Sequence, residues 1–419
     1  MATVPTVALK ERIEFGTDAW VRELETHLRK AELPETTRFR HSVLLQDAPP
    51  HLSEASDSSI GYAFDIVDGR VTVNSVICAA NDVAAILDYN RAQLLATTVL
   101  GTNHHAAERR LRDARRLAQS ALPIPFDAPN LDEHSRSVLR DAHHHMALRT
   151  IPNPDVVQRA RGLGLAQNLA ELDDRGYTVL RDAFSDEFAD ELREEAHRNH
   201  DAAPPDVGFR ATMLLKRGHH WEEAVIHPWV LALADYMLGR GCLIYQSDTI
   251  IKGPGLDTHP GLHADYGASR VAEPFPEYCV EATAVWAIDD FDAPAGPTVI
   301  VPGSFRNRRQ VPPGMTREDG VLIEMPKGSI AFWHGASWHG AMPREREGKR
   351  TSLHNAYCRF FMRPLERYDD IDQAIVDRNP PIFSTLCGLD DAFGKSGYHG
   401  ADFERMRYSA EARYGSTAF

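Results

Sequence analysis

His263-Ala264-Asp265 is the first place along this chain where residue types and spacing could do chemistry. On an extended strand, residues i and i+2 share a face. An imidazole nitrogen and a carboxylate oxygen at that spacing can therefore be aimed at one point. The pair alone says little. With 20 His and 60 Asp plus Glu, an HxD or HxE match arises by chance roughly two or three times, and His220-Trp221-Glu222 is another. Context separates the two. His339 comes 76 residues after His263, just past the aromatic-rich stretch GSIAFWHG. A third ligand from a distant strand is how a barrel assembles two His and one carboxylate on one face of a non-haem Fe(II). Three protein ligands leave three positions open, two for the keto-acid end of 2-oxoglutarate and one for dioxygen. Arg350 lies 11 residues beyond His339, on the next strand. Its guanidinium fork suits the far carboxylate of that cosubstrate. Gln246, on the strand before the HxD turn, is a candidate to face the same pocket.

The elements that must position these residues can be read from periodicity. From about 242 to 364 the chain runs as short apolar segments separated by turn residues every 8–12 positions, for example EATAVWAIDDF, PTVIVPGS and RTSLHNAYCRFFMRP. That pattern predicts a β-sandwich or barrel. Before it, AQNLAELDDRGYTVLRDAF predicts a helix stopped by Gly176 and then a strand. SDEFADELREEAHRN predicts a second helix capped by Ser185. Earlier still, Trp20, Leu24 and Leu28 mark a helix, and Asp68-Gly69 sits between two strand-like runs as a hairpin turn. DVAAILDYNRAQLLATTVLG (82–101) reads as one amphipathic helix, and further helix is expected through AERRLRDARRLAQSAL. The expected organisation is an N-terminal α+β domain over 1–150, the site-bearing domain over 160–366, and a C-terminal extension, 367–419, packing on the barrel.

His263-Ala-Asp265, VIVPGSF (299–305), GSIAFWHGASWHGA and Arg350 together resemble the phytanoyl-CoA dioxygenase family of Fe(II)/2-oxoglutarate oxygenases. LDDRGYTVLRDAFSDEFADELREE is similar to that family's opening, and the resemblance covers about 165–366. It implies an α+β fold whose core is a double-stranded β-helix, the jelly roll or cupin-like barrel, with flanking helices. It implies His263, Asp265 and His339 as the iron ligands, Arg350 as the 2-oxoglutarate anchor, and Trp286 lining the cosubstrate pocket. Fe(II), 2-oxoglutarate and O2 are the implied cofactors. The family often carries a hydroxyl two residues after the distal His; Ala341 stands there, so one accessory bond to the cosubstrate is expected to be missing. Some relatives replace the carboxylate with Ala or Gly and bind halide in the vacancy. Asp265 fills it, which favours hydroxylation over halogenation.

Other histidines carry weaker claims. His334 competes with His339 as the distal ligand, but the spacing to Arg350 favours His339. His354 is expected to be a core or substrate-facing residue. His104-His105 and His143-His144-His145 look like metal clusters, yet neighbours on a helix point in different directions, so a solvated helix is the expectation. His219 and His220, ahead of the expected helix WEEAVIHPW, are candidates for a substrate role. Arg210 and Lys216 are read as surface cations, with anion binding the alternative. GYAFDIVDGRVTVNSVICAANDVAAILDYNRAQLLATTVLGT resembles sterol-carrier-like domains. That implies an apolar ligand; the competing reading is an α+β scaffold that packs on the barrel or forms a dimer contact.

Composition excludes several classes. Lys plus Arg is 46 against 60 Asp plus Glu, a net charge of −14, the wrong sign for nucleic acid or an anionic membrane surface. No apolar run is long enough to span a membrane, and no signal peptide is visible, so a cytoplasmic location is expected. Five cysteines form no CxxC pair, which argues against a zinc finger or a disulfide scaffold. The expected function is oxidation at C–H, hydroxylation first, of a small and hydrophobic molecule such as a secondary metabolite or lipid-like compound. Desaturation, epimerisation or rearrangement with the same cofactors, and a non-catalytic lipid carrier, are the alternatives. A homo-oligomer is compatible with the sequence.

Overall fold

The computed structural model describes residues 13–49, 51–53, 58–75, 85–98, 109, 111–112, 115–116, 131–150, 156–204, 208–257, 261–267, 270–390, 393 and 400–402. The chain forms two compact units, Met1–Leu163 with Asp377–Pro381, and Gly164–Val376 with Ile382–Phe419.

In the first unit, Thr17 caps the helix Asp18–Leu28 by accepting the Trp20 N–H at 3.2 Å. The helix buries Trp20, Val21, Leu24 and Leu28, the stripe its periodicity predicts. Strands β1 (Phe39–Gln46), β2 (Ile60–Val67) and β3 (Arg70–Asn74) are antiparallel, and β4 (Ala85–Asp88) adds parallel to β1. Asp68 and Gly69 both have positive φ, 51° and 71°, so the Asp-Gly hairpin turn forms as read. The helix expected over 82–101 is shorter. Ala85–Asp88 is strand, and the helix runs Tyr89–Ala96 with Asp88 capping the Arg91 N–H at 3.1 Å. Pairing with β1 is a tertiary contact, and it overrides the local helical period. The further helix expected through 107–122 lies largely outside the described residues, as do His104 and His105.

The second unit opens as the sequence predicts. The helix Ala166–Arg175 ends at Gly176 (φ 78°), and β5 (Tyr177–Leu180) follows. A Cβ at 176 would meet Phe305 at 2.5 Å and the Ser337 hydroxyl at 2.8 Å, so both the left-handed backbone and the close packing require glycine. Ser185 caps the helix Asp186–Asp201 by accepting the Phe188 N–H at 3.2 Å. The remaining strands are β6 (Arg210–Ala211), β7 (Leu243–Lys252), β8 (Glu281–Ala287), β9 (Thr298–Ile300), β10 (Val321–Ile323), β11 (Ile330–His334), β12 (His339–Ala341) and β13 (Arg350–Cys358). They form two antiparallel sheets, ordered β5-β11-β8-β13-β7-β6 and β10-β9-β12. One apolar cluster takes Val285, Ala287, Ala331 and Trp333 from the larger sheet and Ile300 and Ile323 from the smaller. The sheets thus share a core, and the domain is a double-stranded β-helix within an α+β chain. The larger sheet's outer face is covered by the helices His219–Val225 and Pro228–Leu238, the second contacting β8, β11 and β13. Among the described residues no helix is long and apolar enough to cross a membrane.

Candidate metal centre

His263 and His339 are joined backbone to backbone. Each donates its N–H to the other's carbonyl at 2.8 Å, an isolated antiparallel bridge. Asp265 follows two residues on, at the start of a single 3-10 turn, Asp265–Gly267. The bridge turns 76 residues of separation into adjacency. Asp265 Oδ1 lies 3.7 Å from His263 Nε2 and 3.4 Å from His339 Nε2. The imidazole centroids are 4.3 Å apart, and all three donor atoms lie within 4.8 Å of one another. Side-chain exposure is 34 % at His263, 18 % at Asp265 and 8 % at His339, so the cluster is open on the His263 side and closed behind His339.

Neighbouring groups aim these donors. His339 Nδ1 lies 3.0 Å from the Ser337 carbonyl. A carbonyl only accepts, so Nδ1 donates to it, and Nε2, turned toward Asp265, is the ring atom left for a metal. Asp265 Oδ2 accepts from the Thr283 hydroxyl at 3.0 Å and from Trp333 Nε1 at 3.3 Å, which leaves Oδ1 toward the two histidines. Trp333 also packs on His339, centroids 4.8 Å apart. Sequence reading singled out neither Thr283 nor Trp333. The available signal was alternation: Thr283, Val285 and Ala287 on β8 and Ala331 and Trp333 on β11 point inward.

That alternation corrects one expectation. Trp286 lies between two inward residues, so its ring points outward, where it meets Phe184 at 4.8 Å and His227 at 5.3 Å between centroids. It does not line the space in front of the triad; Val285, one residue earlier, faces inward. Gln246 shares the inner face by register, since Gln246 pairs with Ala356 and Ala356 with Thr283. Asp248, His354 and Val285 form the next such row, and His354 Nε2 lies 3.0 Å from the Ser352 hydroxyl.

Arg350 opens β13 opposite Lys252, on the same face as Ser352 and His354. It is 4 % exposed, bonds the Gly296 carbonyl, and stacks over Phe291 with its guanidinium carbon 3.9 Å from the ring centroid. Its Nε is buried without a hydrogen-bond partner. Burial above all, and then Arg344, pushes its pKa down to about 9 against the pull of Asp289. Lys252 is fully buried and bonds the Met342 carbonyl; burial first, then Arg350, lowers it to about 8. Two buried cations held mainly by neutral carbonyls are arranged to receive an anion.

The remaining candidates separate. His334 is 3 % exposed, accepts the Ala336 N–H at 3.0 Å and stacks on Phe305, with burial pushing its pKa to about 3. It is part of the packing and not of the donor cluster. Arg210 is half-exposed, and its guanidinium is committed to a buried partner. It holds Asp248 with two bonds of 2.6 and 3.0 Å, and the charge of Asp265 reaches it. Burial raises the pKa of Asp248, while Arg210 opposes that rise. Lys216 pairs with Asp370.

The phytanoyl-CoA dioxygenase (PhyH) family model matches residues 172–352, a span that contains all three donors and Arg350. The match spans less than half of the chain, and over that segment the chain is similar to the phytanoyl-CoA dioxygenase family. The PhyH family uses Fe(II), 2-oxoglutarate and O2, and two histidines with one carboxylate are a donor set that fits such a metal. The chain is also similar to an uncharacterised protein of Mycobacterium tuberculosis, 21% identical over 230 residues that span 51% of this chain and 82% of the relative. Among solved structures it is similar to HygX from Streptomyces hygroscopicus with nickel and 2-oxoglutarate bound (TM-score 0.41, 16% identity, covering 49% of this chain and 90% of HygX). It is also similar to SnoK, a non-haem α-ketoglutarate-dependent carbocyclase from nogalamycin biosynthesis (TM-score 0.38, 18% identity, covering 46% and 83%).

Proposed function

We propose that this protein is an Fe(II)- and 2-oxoglutarate-dependent oxygenase that oxidises a C–H bond of a small molecule, with hydroxylation as the outcome. The observation that carries the reading is the convergence of His263, Asp265 and His339, with the second Asp265 oxygen occupied by Thr283 and Trp333. In this reading the three side chains hold the metal on one face. Ser337 keeps His339 in the ligating tautomer. Arg350, its Nε buried and unpartnered, receives the far carboxylate of 2-oxoglutarate, and Lys252 adds charge beside it. When bound, iron and 2-oxoglutarate supply the oxidising power of dioxygen, with succinate and carbon dioxide as coproducts. The chain's own contribution is to fix metal geometry, orient both substrates and exclude water.

For the substrate, the inner face supports a different emphasis from the hydrophobic molecule expected from the apolar barrel segments and the sterol-carrier-like resemblance. Gln246, His354, Ser352 and the Arg210–Asp248 pair place hydrogen-bonding groups there. We favour a small molecule with polar groups at those positions. Anaerobic titration of the metal-free chain with Fe(II) and then 2-oxoglutarate tests the reading through the visible iron-to-ketoacid charge-transfer band. A band in the wild type that disappears in His263→Ala is expected. A folded, iron-loaded chain with no band would sink the proposal and favour a non-catalytic binding protein.

A further inference from the structure

A second gathering of metal-type donors lies outside the barrel. Glu195, on the helix Asp186–Asp201, and His219 and His220, at the start of His219–Val225, each bring a ligand atom within 4.8 Å of the other two. Glu195 is 5 % exposed and His220 8 %. Carboxylates hold His220 at both ring nitrogens: Nδ1 bonds Glu195, and Nε2 lies 3.4 Å from Glu191. Glu191 is one helical turn before Glu195 and so shares its face. The His219 and His220 rings are 3.9 Å apart between centroids. Gly218 permits the close approach, since a Cβ there would fall 1.2 Å from Glu195 Oε1. Its φ of 170° is ordinary extended backbone, so the glycine answers a need for space.

A hydrogen bond between His220 and Glu195 explains those two residues. His219 stands outside that bond and offers a ligand atom to the same point. We propose that Glu195, His219 and His220 form a second divalent-metal site that takes an ion of the zinc class. Imidazole nitrogens and carboxylate oxygens are ligands Zn2+ accepts, and a tetrahedral site with bonds of about 2.1 Å sets its donors about 3.4 Å apart. Donors now within 4.8 Å reach that spacing through side-chain rotations on the order of 1 Å. The site sits on the opposite side of the larger sheet from the triad. Phe188, one turn from Glu191, lies 6.1 Å from His220 and 6.5 Å from the outward-facing Trp286 between ring centroids. A metal here would clasp Asp186–Asp201 to His219–Val225, and it would act on the helical cover rather than on the cosubstrate.

The test uses the full-length chain, freed of metal by a chelator, with His263→Ala and His339→Ala disabling the triad. Zn2+ is titrated by calorimetry, Co2+ is followed through its visible spectrum, and Tm is read with and without Zn2+. We expect one Zn2+ per chain, intense tetrahedral Co2+ bands and a raised Tm. All three are lost on adding His219→Ala, and Glu195→Gln weakens Zn2+ at least about 100-fold. His219 is only half-buried, so its removal is compatible with folding, which circular dichroism checks. If that variant unfolds, His219→Gln in the same background serves instead. A triad-disabled chain that takes up no stoichiometric Zn2+, or whose uptake ignores both substitutions, overturns the proposal. Because the triad is absent throughout, that failure leaves the iron-site reading untouched.

Discussion

His143, His144 and His145 are adjacent in sequence and do not meet; His263, Asp265 and His339 span 76 residues and do. The triplet lies in the helix Glu133–Arg149, where consecutive residues are turned about 100° from one another. His143 bonds the Thr98 carbonyl at 2.9 Å and is driven down to about 4 by burial, whereas His145 pairs with Glu23 at 2.7 Å. Each imidazole serves a different neighbour. In the barrel, the bridge between His263 and His339 brings two distant segments together, and the i, i+2 geometry adds Asp265. Donors gather where strands pair, and clustering along the chain does little by itself. His219 and His220 support this from the other side: they gain a shared point only because Glu195 reaches them from another helix.

The comparison can be broken most directly at the ligands. His339→Ala is expected to lower Fe(II) affinity more than about 100-fold, since losing a ligand should exceed the 10–100-fold typical of supporting groups. Replacing all three of His143, His144 and His145 with alanine should change it less than about twofold, in keeping with substitutions that remove no ligand. Equilibrium dialysis under anaerobic conditions decides, and equal losses would end the distinction. Arg350→Ala comes next. Losing a charge-assisted bond of about 1.5–3 kcal/mol should raise the 2-oxoglutarate needed for half of the charge-transfer band about 10–100-fold, with Fe(II) affinity unchanged. An unshifted midpoint would remove Arg350 from the site.

The two faces of β8 offer a finer test. Thr283→Val removes the hydroxyl on Asp265 at nearly constant volume and should weaken Fe(II) about tenfold. Trp286→Phe should lower Tm by a few degrees, as expected for the loss of about 1 kcal/mol of packing, while the 2-oxoglutarate midpoint stays put. A midpoint that moved with Trp286 would restore it to the pocket. The smallest effect concerns pH. Lys252 and Arg350 are bases lowered to about 8 and about 9. Both are charged at pH 7 and lose that charge as pH rises through those values, so 2-oxoglutarate affinity should fall several-fold between pH 7 and 9.5. Lys252→Met should remove the part of this fall centred near 8; an unchanged profile would exclude Lys252.

Much of the candidate site is legible in the sequence. The HxD pair, the His339 spacing and Arg350 follow from residue type and from the period of a strand, and those three donors are the ones that converge. The helix stop at Gly176, the Ser185 cap and the Asp68-Gly69 hairpin were legible too, because each depends on backbone preferences within a few residues. Trp286 was misplaced by a single position. Resemblance marks a tryptophan near the pocket, but in a strand a shift of one residue reverses the face. Strand β4 was read as helix, since its pairing with β1 leaves no local mark. The pairing of Arg210 is not legible because nothing nearby in sequence points to Asp248, 38 positions away.

By itself the sequence determined which residues could serve as ligands, most of the barrel strands, and the helix ends marked by Ser185 and Gly176. These are properties of side-chain chemistry and short-range backbone geometry. Only the tertiary structure decided which face each strand presents, that Thr283 and Trp333 hold Asp265, that Arg350 and Lys252 are buried together, and that Glu195 meets His219 and His220. Those relations depend on register and on contacts between distant segments, and such contacts exist only once the sheets have closed around a common core.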